Sequence, residues 1–336
     1  MSRRSRRSKR RLKSLFMTTI LIGMLLLSST YAWFSANKEV ALEGINAKVV
    51  AAEGLQISLD GEAWSSKITI NKVNLAAAID NNYAWPEALV PVSTVGETAS
   101  GEMNMFYGDI SADGTQLTNV DQENDADTTK YIAFDLYFKN SSSQVDGDIL
   151  QLNTGTKVAI AADGKQNTGL ENCVRSAVVL YSNKEVMTAA GTDIRQIAPG
   201  TPTVCIWEPN YNKHIAEIVR NDPTRVPNAT AEFTTLGVKK NGGGTISGVN
   251  VPDLTAGNAN ENLGEQRTLK TDATVGTATN MTNLGTDNMM LAQNSIMKAR
   301  VYIWLEGQDP DNVDTASTGK SIDIVLGFTK PSVKKP

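Results

Sequence analysis

Cysteine and histidine are rare in this 336-residue chain, which contains two cysteines and one histidine. Two cysteines are too few for the disulfide framework typical of small secreted domains. A single histidine excludes a metal centre built from several imidazoles, and His214 alone would have to serve any Ser-His-Asp site. The chain also lacks a nucleophile elbow, a phosphate-binding loop and an HExxH motif, so we expect a protein that is not an enzyme.

A sustained helical pattern is missing as well. Apolar residues follow the spacing of an α-helix only over the short segment 212–220. Elsewhere, short segments with strand-like patterns lie between Gly, Asn, Asp and Ser, which is typical of β-strands joined by turns. The predicted strands are 55–59, 67–71, 131–140, 156–162, 173–181, 203–207, 296–305 and 322–328. We therefore predict an all-β sandwich, with Asp60-Gly61 turning the first two strands into a hairpin.

What is present at the N-terminus is a targeting pattern. Eight basic residues and no acidic one occur in the first 13 positions, followed by the mostly apolar run 15–27 and by Thr30-Tyr31-Ala32. A basic region, an apolar region and a small-residue site predict a secretory signal peptide over residues 1–32. Signal peptidase would then cut between Ala32 and Trp33.

The alternative is an uncleaved membrane anchor. Residues 15–34 match the length of about 20 residues that crosses a bilayer. In both cases the basic end stays inside and the remainder is exported, so we expect a secreted or cell-surface protein.

Charge narrows the choice of partners. Without the eight basic residues of segment 1–32, 24 basic residues face 36 acidic ones, a net charge near −12. A negative surface argues against nucleic acid as a partner, because binding phosphates needs positive charge. It suits a soluble extracellular protein or one that binds cations.

Two acidic segments are candidate calcium sites, since alternating carboxylates in a loop can converge on Ca²⁺. Neither has the spacing of an EF-hand, and the alternative is a solvated acidic loop. No other cofactor is predicted. The candidate ligands are Asp121, Glu123, Asp125 and Asp127 in the first segment and Asp309, Asp311 and Asp314 in the second.

Two further features leave alternatives open. Cys173 and Cys205 both lie in strand-like segments and could form one bridge outside the cell, or remain two buried thiols. Residues 237–290 are rich in Gly, Asn and Thr and poor in apolar residues, which favours a long insertion or a mobile arm over a second domain.

The junction Ser29-Thr30-Tyr31-Ala32-Trp33-Phe34-Ser35, followed by Glu53-Gly54-Leu55-Gln56-Ile57-Ser58-Leu59, resembles the start of the TasA/camelysin group of Firmicutes surface proteins. The segment Tyr137-Phe138-Lys139-Asn140-Ser141 is also similar to a strand of that group. The resemblance is specific over the first 60 residues and patchy afterwards.

The resemblance implies a jelly-roll-like β-sandwich over residues 51–330, with long loop insertions, that assembles with copies of itself into fibres of a Gram-positive biofilm matrix. Cleavage by a dedicated signal peptidase is part of that implication. In that group, subunits join by donating the N-terminal strand to the next subunit, which here would be the segment 33–50. The apolar residues of this candidate donor strand are Val40, Leu42, Ile45 and Val49.

Two other interpretations stay open from the residues alone. The N-terminal strand could pair within its own domain. The protein could also be a membrane-tethered adhesin that recognises carbohydrate or protein through its loops and the 237–290 segment.

Overall fold

The structure is a computed structural model that describes residues between 44 and 330, apart from the stretches 52–53, 111–116, 142–147, 185–190, 222–227, 231–243, 252–267, 272–278, 284–289 and 313–320 and several shorter ones. The candidate cleavage site at Ala32 and Trp33, the apolar segment 15–34, and Val40 and Leu42 lie outside the described residues. Among the described residues, no helix is long and apolar enough to cross a membrane.

Strands dominate the described chain, which confirms the all-β prediction. The strands are β1 Gly44–Ala51, β2 Leu55–Ser58, β3 Lys67–Ile70, β4 Tyr83–Ala84, β5 Ser93–Ala99, β6 Glu102–Ile110, β7 Leu117–Glu123, β8 Ile132–Asn140, β9 Asp148–Ile149, β10 Gln151–Leu152, β11 Lys157–Ile160, β12 Val174–Lys184, β13 Thr203–Pro209, β14 Gly244–Ile246, β15 Val249–Val251, β16 Thr268–Thr271, β17 Thr279–Asn283, β18 Met290–Leu291, β19 Ser295–Leu305 and β20 Ser321–Thr329. The helices are short: α1 Lys72–Ala77, α2 Leu170–Cys173, α3 Gly191–Arg195 and α4 Ala216–Asn221.

Three sheets build the body of the protein. A five-stranded sheet has the order β10-β20-β1-β3, and β11 also pairs with β20. An eight-stranded sheet has the order β16-β17-β13-β12-β19-β8-β2, and β4 also pairs with β8. A three-stranded sheet has the order β5-β6-β7, and β14-β15 and β18-β9 form two small additional pairs.

The eight-stranded sheet lies between the other two. One of its faces packs on the five-stranded sheet, where Phe134, Val301 and Ile303 share a core with Val49 and Ile324. Its other face packs under the three-stranded sheet, with Met103 and Met105 against side chains of the central sheet such as Tyr302 and Trp304. Because both faces of the central sheet are covered, β8 and β19 are buried at nearly every position. Such strands are mostly apolar and do not alternate between apolar and polar residues.

The first two predicted strands form, but the predicted hairpin is wrong. The turn is as expected, with Gly61 at φ +72° and the Asp60 carboxylate accepting hydrogen bonds from the N–H groups of Glu62 and Ala63, both at 2.8 Å. However, β2 pairs with β8 in the eight-stranded sheet, and β3 pairs with β1 in the five-stranded sheet. Apart from the bridge between Ile57 and Ser65, the turn therefore leads the chain from one sheet to the other.

Part of the segment 237–290, the predicted insertion, is described by the structure. Its described parts include strands β14 to β17, and β17 pairs with β13 from Thr279 to Asn283. Through β16 and β17 the segment therefore extends the eight-stranded sheet beyond β13.

Candidate functional site

The first candidate site is the position of strand β1 in the five-stranded sheet. Alternation places Ala47, Val49 and Ala51 in the core between the sheets, each at most 7 % exposed. Ile45 packs against the same core. The side chains on the other face are polar or half-buried, and Asn46 Nδ2 donates to Asp323 Oδ1 at 3.0 Å.

Strand β1 is paired along both edges. It runs parallel to β20 over eight residue pairs, from Gly44 opposite Ser321 to Ala51 opposite Phe328. On its other side it runs antiparallel to β3, with Val50 opposite Lys67. Thus the chain fills this position with its own N-terminal strand. The sequence left open whether this strand is donated to another subunit or pairs within its own domain, and in the structure Ile45 and Val49 pair within the domain.

A repulsive contact lies on the outer face of this pairing. The side chains of Lys48 on β1 and Lys67 on β3 lie close together at the surface. Contact with Lys67, partial loss of hydration and repulsion between the two charges lower the pKa of Lys48. Like charges on neighbouring strands oppose pairing, so this one contact works against the docking of β1, which its apolar face favours.

The second candidate site is a buried charge network between the central and the three-stranded sheets. Asp125 accepts hydrogen bonds from Tyr131 Oη at 2.7 Å and Tyr302 Oη at 2.6 Å, and it is ion-paired with Arg300. Asp135 faces Arg300 across β8 and β19 and binds its Nη1 at 3.0 Å. All five side chains are buried.

Burial sets the proton equilibria of this network. It raises the pKa values of Tyr131 and Tyr302, and the neighbouring Asp125 charge raises both further. Burial works against the charge of Arg300, but Asp125, Tyr302 and Asp135 more than offset it and raise the pKa of the guanidinium. The tyrosines thus stay neutral donors and the arginine stays charged, which is an arrangement for holding layers together.

A third cluster lies where β12 begins and β13 and β19 end. Arg175 is fully buried and is ion-paired with Glu208 and Asp309. Beside it, Glu306 accepts hydrogen bonds from Ser93 Oγ at 2.6 Å and Trp304 Nε1 at 3.2 Å. Arg175 thus has two counter-ions and both carboxylate oxygens of Glu306 are bound, as the burial of such groups requires.

Several of the candidate calcium ligands make contacts with other side chains of the protein. Asp125 is paired with Arg300, Asp309 with Arg175, and Glu123 with Lys130 at 2.8 Å. Three of the carboxylates proposed for Ca²⁺ thus have a cation of the protein itself as a partner. Asp311 is taken by His214, whose Nδ1 lies 2.6 Å from Oδ2.

The remaining candidate ligands are Asp121, Asp127 and Asp314. Asp121 lies in β7, and Asp127 and Asp314 lie outside the described residues. Among the part of the chain that the structure describes, no group of three or more His, Cys, Asp or Glu side chains could hold a metal ion.

Of the two alternatives that the sequence left open for Cys173 and Cys205, the structure shows two buried thiols and no bridge. Cys205 lies opposite Val178 in the β12–β13 pair, whereas Cys173 precedes the first residue of β12. Five residues of extended chain correspond to roughly 16 Å, far more than the roughly 7 Å that a bridge tolerates between Cα atoms.

Cys173, His214 and Asp311 resemble a catalytic set in composition but not in chemistry. Burial raises the pKa of the Cys173 thiol strongly, and the charges of Asp309 and Asp311 raise it further. A nucleophilic cysteine needs the opposite, an electropositive and accessible setting that favours the thiolate. The thiol instead donates a hydrogen bond to Gly169 O at 3.3 Å. Cys173 is therefore a buried, protonated thiol and is not activated as a nucleophile.

The sequence did contain a signal for the buried arginines, although they were not predicted. Arg175 and Arg300 each interrupt a predominantly apolar strand, in CVRSAVVLY and IMKARVYIWL. A charge in a strand that is buried on both faces must find a counter-ion, and each of these arginines has two.

Comparison of the chain with protein-family models, with characterised proteins and with solved structures gives no match.

Proposed function

We propose that this protein is an exported structural subunit, a jelly-roll-like β-sandwich that assembles with copies of itself by exchange of strand β1. The observation that carries the proposal is the place of β1. An N-terminal strand occupies an interior position of the five-stranded sheet, between β20 and β3.

Exchange conserves the interactions that hold the strand. If β1 of a second copy takes the place between β3 and β20, it forms the same two backbone ladders and buries the same Ala47, Val49 and Ala51. The free energy of the intermolecular arrangement then differs from that of the monomer chiefly by the entropy of association. Strand addition of this kind supplies affinity through the backbone and specificity through alternate side chains.

Placement outside the cytoplasm is supported by the sequence of residues 1–34. The basic start, the apolar run and the small-residue site fit a signal peptide or an anchor. The resemblance to the TasA/camelysin group points in the same direction and suggests fibres of a biofilm matrix. Two buried contacts support a structural role: the Asp125–Arg300 ion pair joins the central sheet to the segment after the three-stranded sheet, and the Ser93–Glu306 hydrogen bond joins β5 to the end of β19.

A disulfide that locks β1 into its own sheet tests the proposal. Val50 and Lys67 face each other in the β1–β3 pair. The neighbouring pair is hydrogen-bonded, with Ala51 N–H donating to Ser66 O at 2.8 Å, so Val50 and Lys67 form a non-hydrogen-bonded pair with Cα atoms about 4.5 Å apart. This separation suits a bridge, and the locked variant is therefore Val50→Cys with Lys67→Cys, oxidised at low concentration.

The purified protein is examined by light scattering and electron microscopy, in mild detergent where residues 15–34 are retained. We expect the parent to form elongated assemblies, the locked variant to remain monomeric, and the same variant to assemble after reduction. The single variant Val50→Cys is the matched control. Assembly of the locked variant at the rate of the parent would refute strand exchange, and a parent that stays monomeric would favour the adhesin interpretation.

A further inference from the structure

The outer edge of strand β3 is the feature that leads beyond the proposed function. Among the described residues β3 pairs with β1 alone, so its other side is an edge of the sheet. Backbone groups in an antiparallel pair point alternately toward and away from the partner. Since Ser66 O accepts from Ala51 of β1, Lys67 and Thr69 direct their N–H and C=O groups toward the open edge.

Side chains of the same chain bind three of these four outward groups. Ser65 Oγ accepts from the N–H of Lys67 at 3.2 Å and donates to its carbonyl at 2.9 Å. Asn74 Nδ2 donates to Thr69 O at 2.7 Å. Asn74 is held in place by the first turn of α1, where its N–H donates to Asn71 Oδ1 at 2.8 Å.

Water could satisfy the same groups, because Lys67 and Thr69 are exposed. The bonds from Ser65 and Asn74 are therefore not required by burial. Their effect is steric and competitive, because they occupy the sites at which the backbone of an incoming strand would bind.

The opposite edge is also closed by a side chain, although there the bond is buried and is therefore required by burial as well. On β11, Ala161 N–H donates to Ser321 O at 3.0 Å. Because the direction of the backbone groups alternates along the strand, the N–H and C=O of Val158 point away from β20. Asn210 Nδ2 donates to Val158 O at 3.3 Å and to Glu171 O at 3.1 Å. A side-chain amide thus binds an outward carbonyl at this edge too.

We propose that Ser65 and Asn74 close the edge of β3 to strand addition, so that a second copy of this chain can enter the five-stranded sheet only in place of β1. An open edge strand pairs with any available strand and leads to disordered aggregates. The statement about β1 rests on the proposed function, whereas closure of the edge is a property of the single chain and is tested separately.

The test opens the edge in a protein whose β1 cannot move. Ser65→Ala and Asn74→Ala are introduced into the locked variant, and sedimentation velocity is measured over a concentration series. We expect the locked parent to remain monomeric and the edge-opened protein to shift to dimers and larger species with rising concentration.

A re-closed variant gives the matched control. Thr69→Pro, added to the edge-opened protein, removes the outward N–H of Thr69 and places a pyrrolidine ring on the opened edge, and proline is tolerated on an edge strand where its nitrogen faces solvent. It should return the protein to monomers, while circular dichroism confirms that all variants are folded. If the double variant melts early, Asn74→Ala alone decides the question with the Ser65 turn intact.

Two results would overturn the inference. One is an edge-opened, locked protein that sediments as a monomer at every concentration. The other is association that Thr69→Pro does not reverse. Neither depends on whether the unlocked parent forms fibres, so failure of the edge hypothesis and failure of strand exchange are distinguishable.

Discussion

Arg300 and Asp135 lie directly opposite each other on strands β19 and β8, and Arg300 Nη1 donates to Asp135 Oδ1 at 3.0 Å. The same guanidinium is ion-paired with Asp125, which precedes β8 and also binds two tyrosine hydroxyls. One arginine therefore connects two neighbouring strands of the central sheet to the segment that follows the three-stranded sheet. The first prediction follows from this connection.

Asp125→Asn should destabilise the protein by about 3 kcal/mol, because removing one member of a buried ion pair leaves the other charge without full compensation. The control is Glu123→Gln, which breaks a more accessible pair with Lys130 and should cost less than about 1 kcal/mol. Urea unfolding of both variants measures the difference. Equal effects of the two substitutions would contradict the role assigned to Asp125.

Lys67→Glu should strengthen the docking of β1, because it converts the repulsive contact with Lys48 into an attractive one. In the parent, the pKa of Lys48 is lowered in the folded state. The folded state therefore binds this proton less tightly than the unfolded state, and stability should rise as the pH increases through that lowered pKa.

Melting temperatures between neutral and alkaline pH test this prediction. The variant should melt higher than the parent at neutral pH and should lose the rise on the alkaline side. Lys157→Glu, on strand β11 of the same sheet, is the control and should reproduce neither change. A variant indistinguishable from the parent would show that the lysine contact is fully screened.

Asp60 should contribute to acid sensitivity. Partial burial acts to raise the pKa of its carboxyl, but the N–H groups of Ala63 and Glu62 and the hydroxyl of Ser58 outweigh burial and lower it. A carboxyl whose pKa is lowered by folding stabilises the folded state when the pH is above the pKa of the unfolded state, about 3.9. This contribution is lost as the pH falls through the folded pKa. Asp60→Asn should therefore flatten the loss of stability below about pH 4, as measured by urea midpoints at several pH values.

Two thiols should be found per chain in the denatured, unreduced protein, since Cys173 and Cys205 are buried and unbridged. In the folded protein, labelling should be slow, because burial restricts access and raises the pKa of Cys173. Mass spectrometry after alkylation measures both states. If no thiol reacts before reduction, the disulfide between Cys173 and Cys205 is present after all.

The exported protein should begin at Trp33 if residues 1–32 act as a signal peptide. Intact-mass measurement or N-terminal sequencing decides between this outcome and the anchor. A surface-associated protein that still begins at Met1 or Ser2 would show that residues 15–34 remain in the membrane.

Much of the fold could be predicted from local patterns. The segments around Tyr137, Val178, Tyr302 and Ile324 form strands close to the predicted bounds, because their composition favours extended chain regardless of context. The hairpin failed for the complementary reason. Alternation around Ile57 shows that one face of the strand is buried, but it does not show which strands pair with it. The turn at Asp60 is compatible with a hairpin and with a connection between two sheets.

The candidate site was harder to predict than the fold. An acidic loop is compatible with calcium or solvent by composition, and only the three-dimensional arrangement shows that Asp125 and Asp309 meet arginines from distant strands. The partner of β1 is equally non-local, because Val49 is nearly 280 residues from Leu326 in sequence and lies directly opposite it in the sheet.

The parallel pairing of β1 with β20 has a mechanical consequence. Because both strands run in the same direction, a force that pulls the chain apart at Gly44 and Thr329 acts along the strands in opposite senses. Such a force shears the hydrogen bonds from Gly44–Ser321 to Ala51–Phe328 together, whereas it would open an antiparallel hairpin one bond at a time. A chain pulled at Gly44 and Thr329 thus carries the tension through the whole β1–β20 ladder, and how long it resists is set by the rate of forced unfolding.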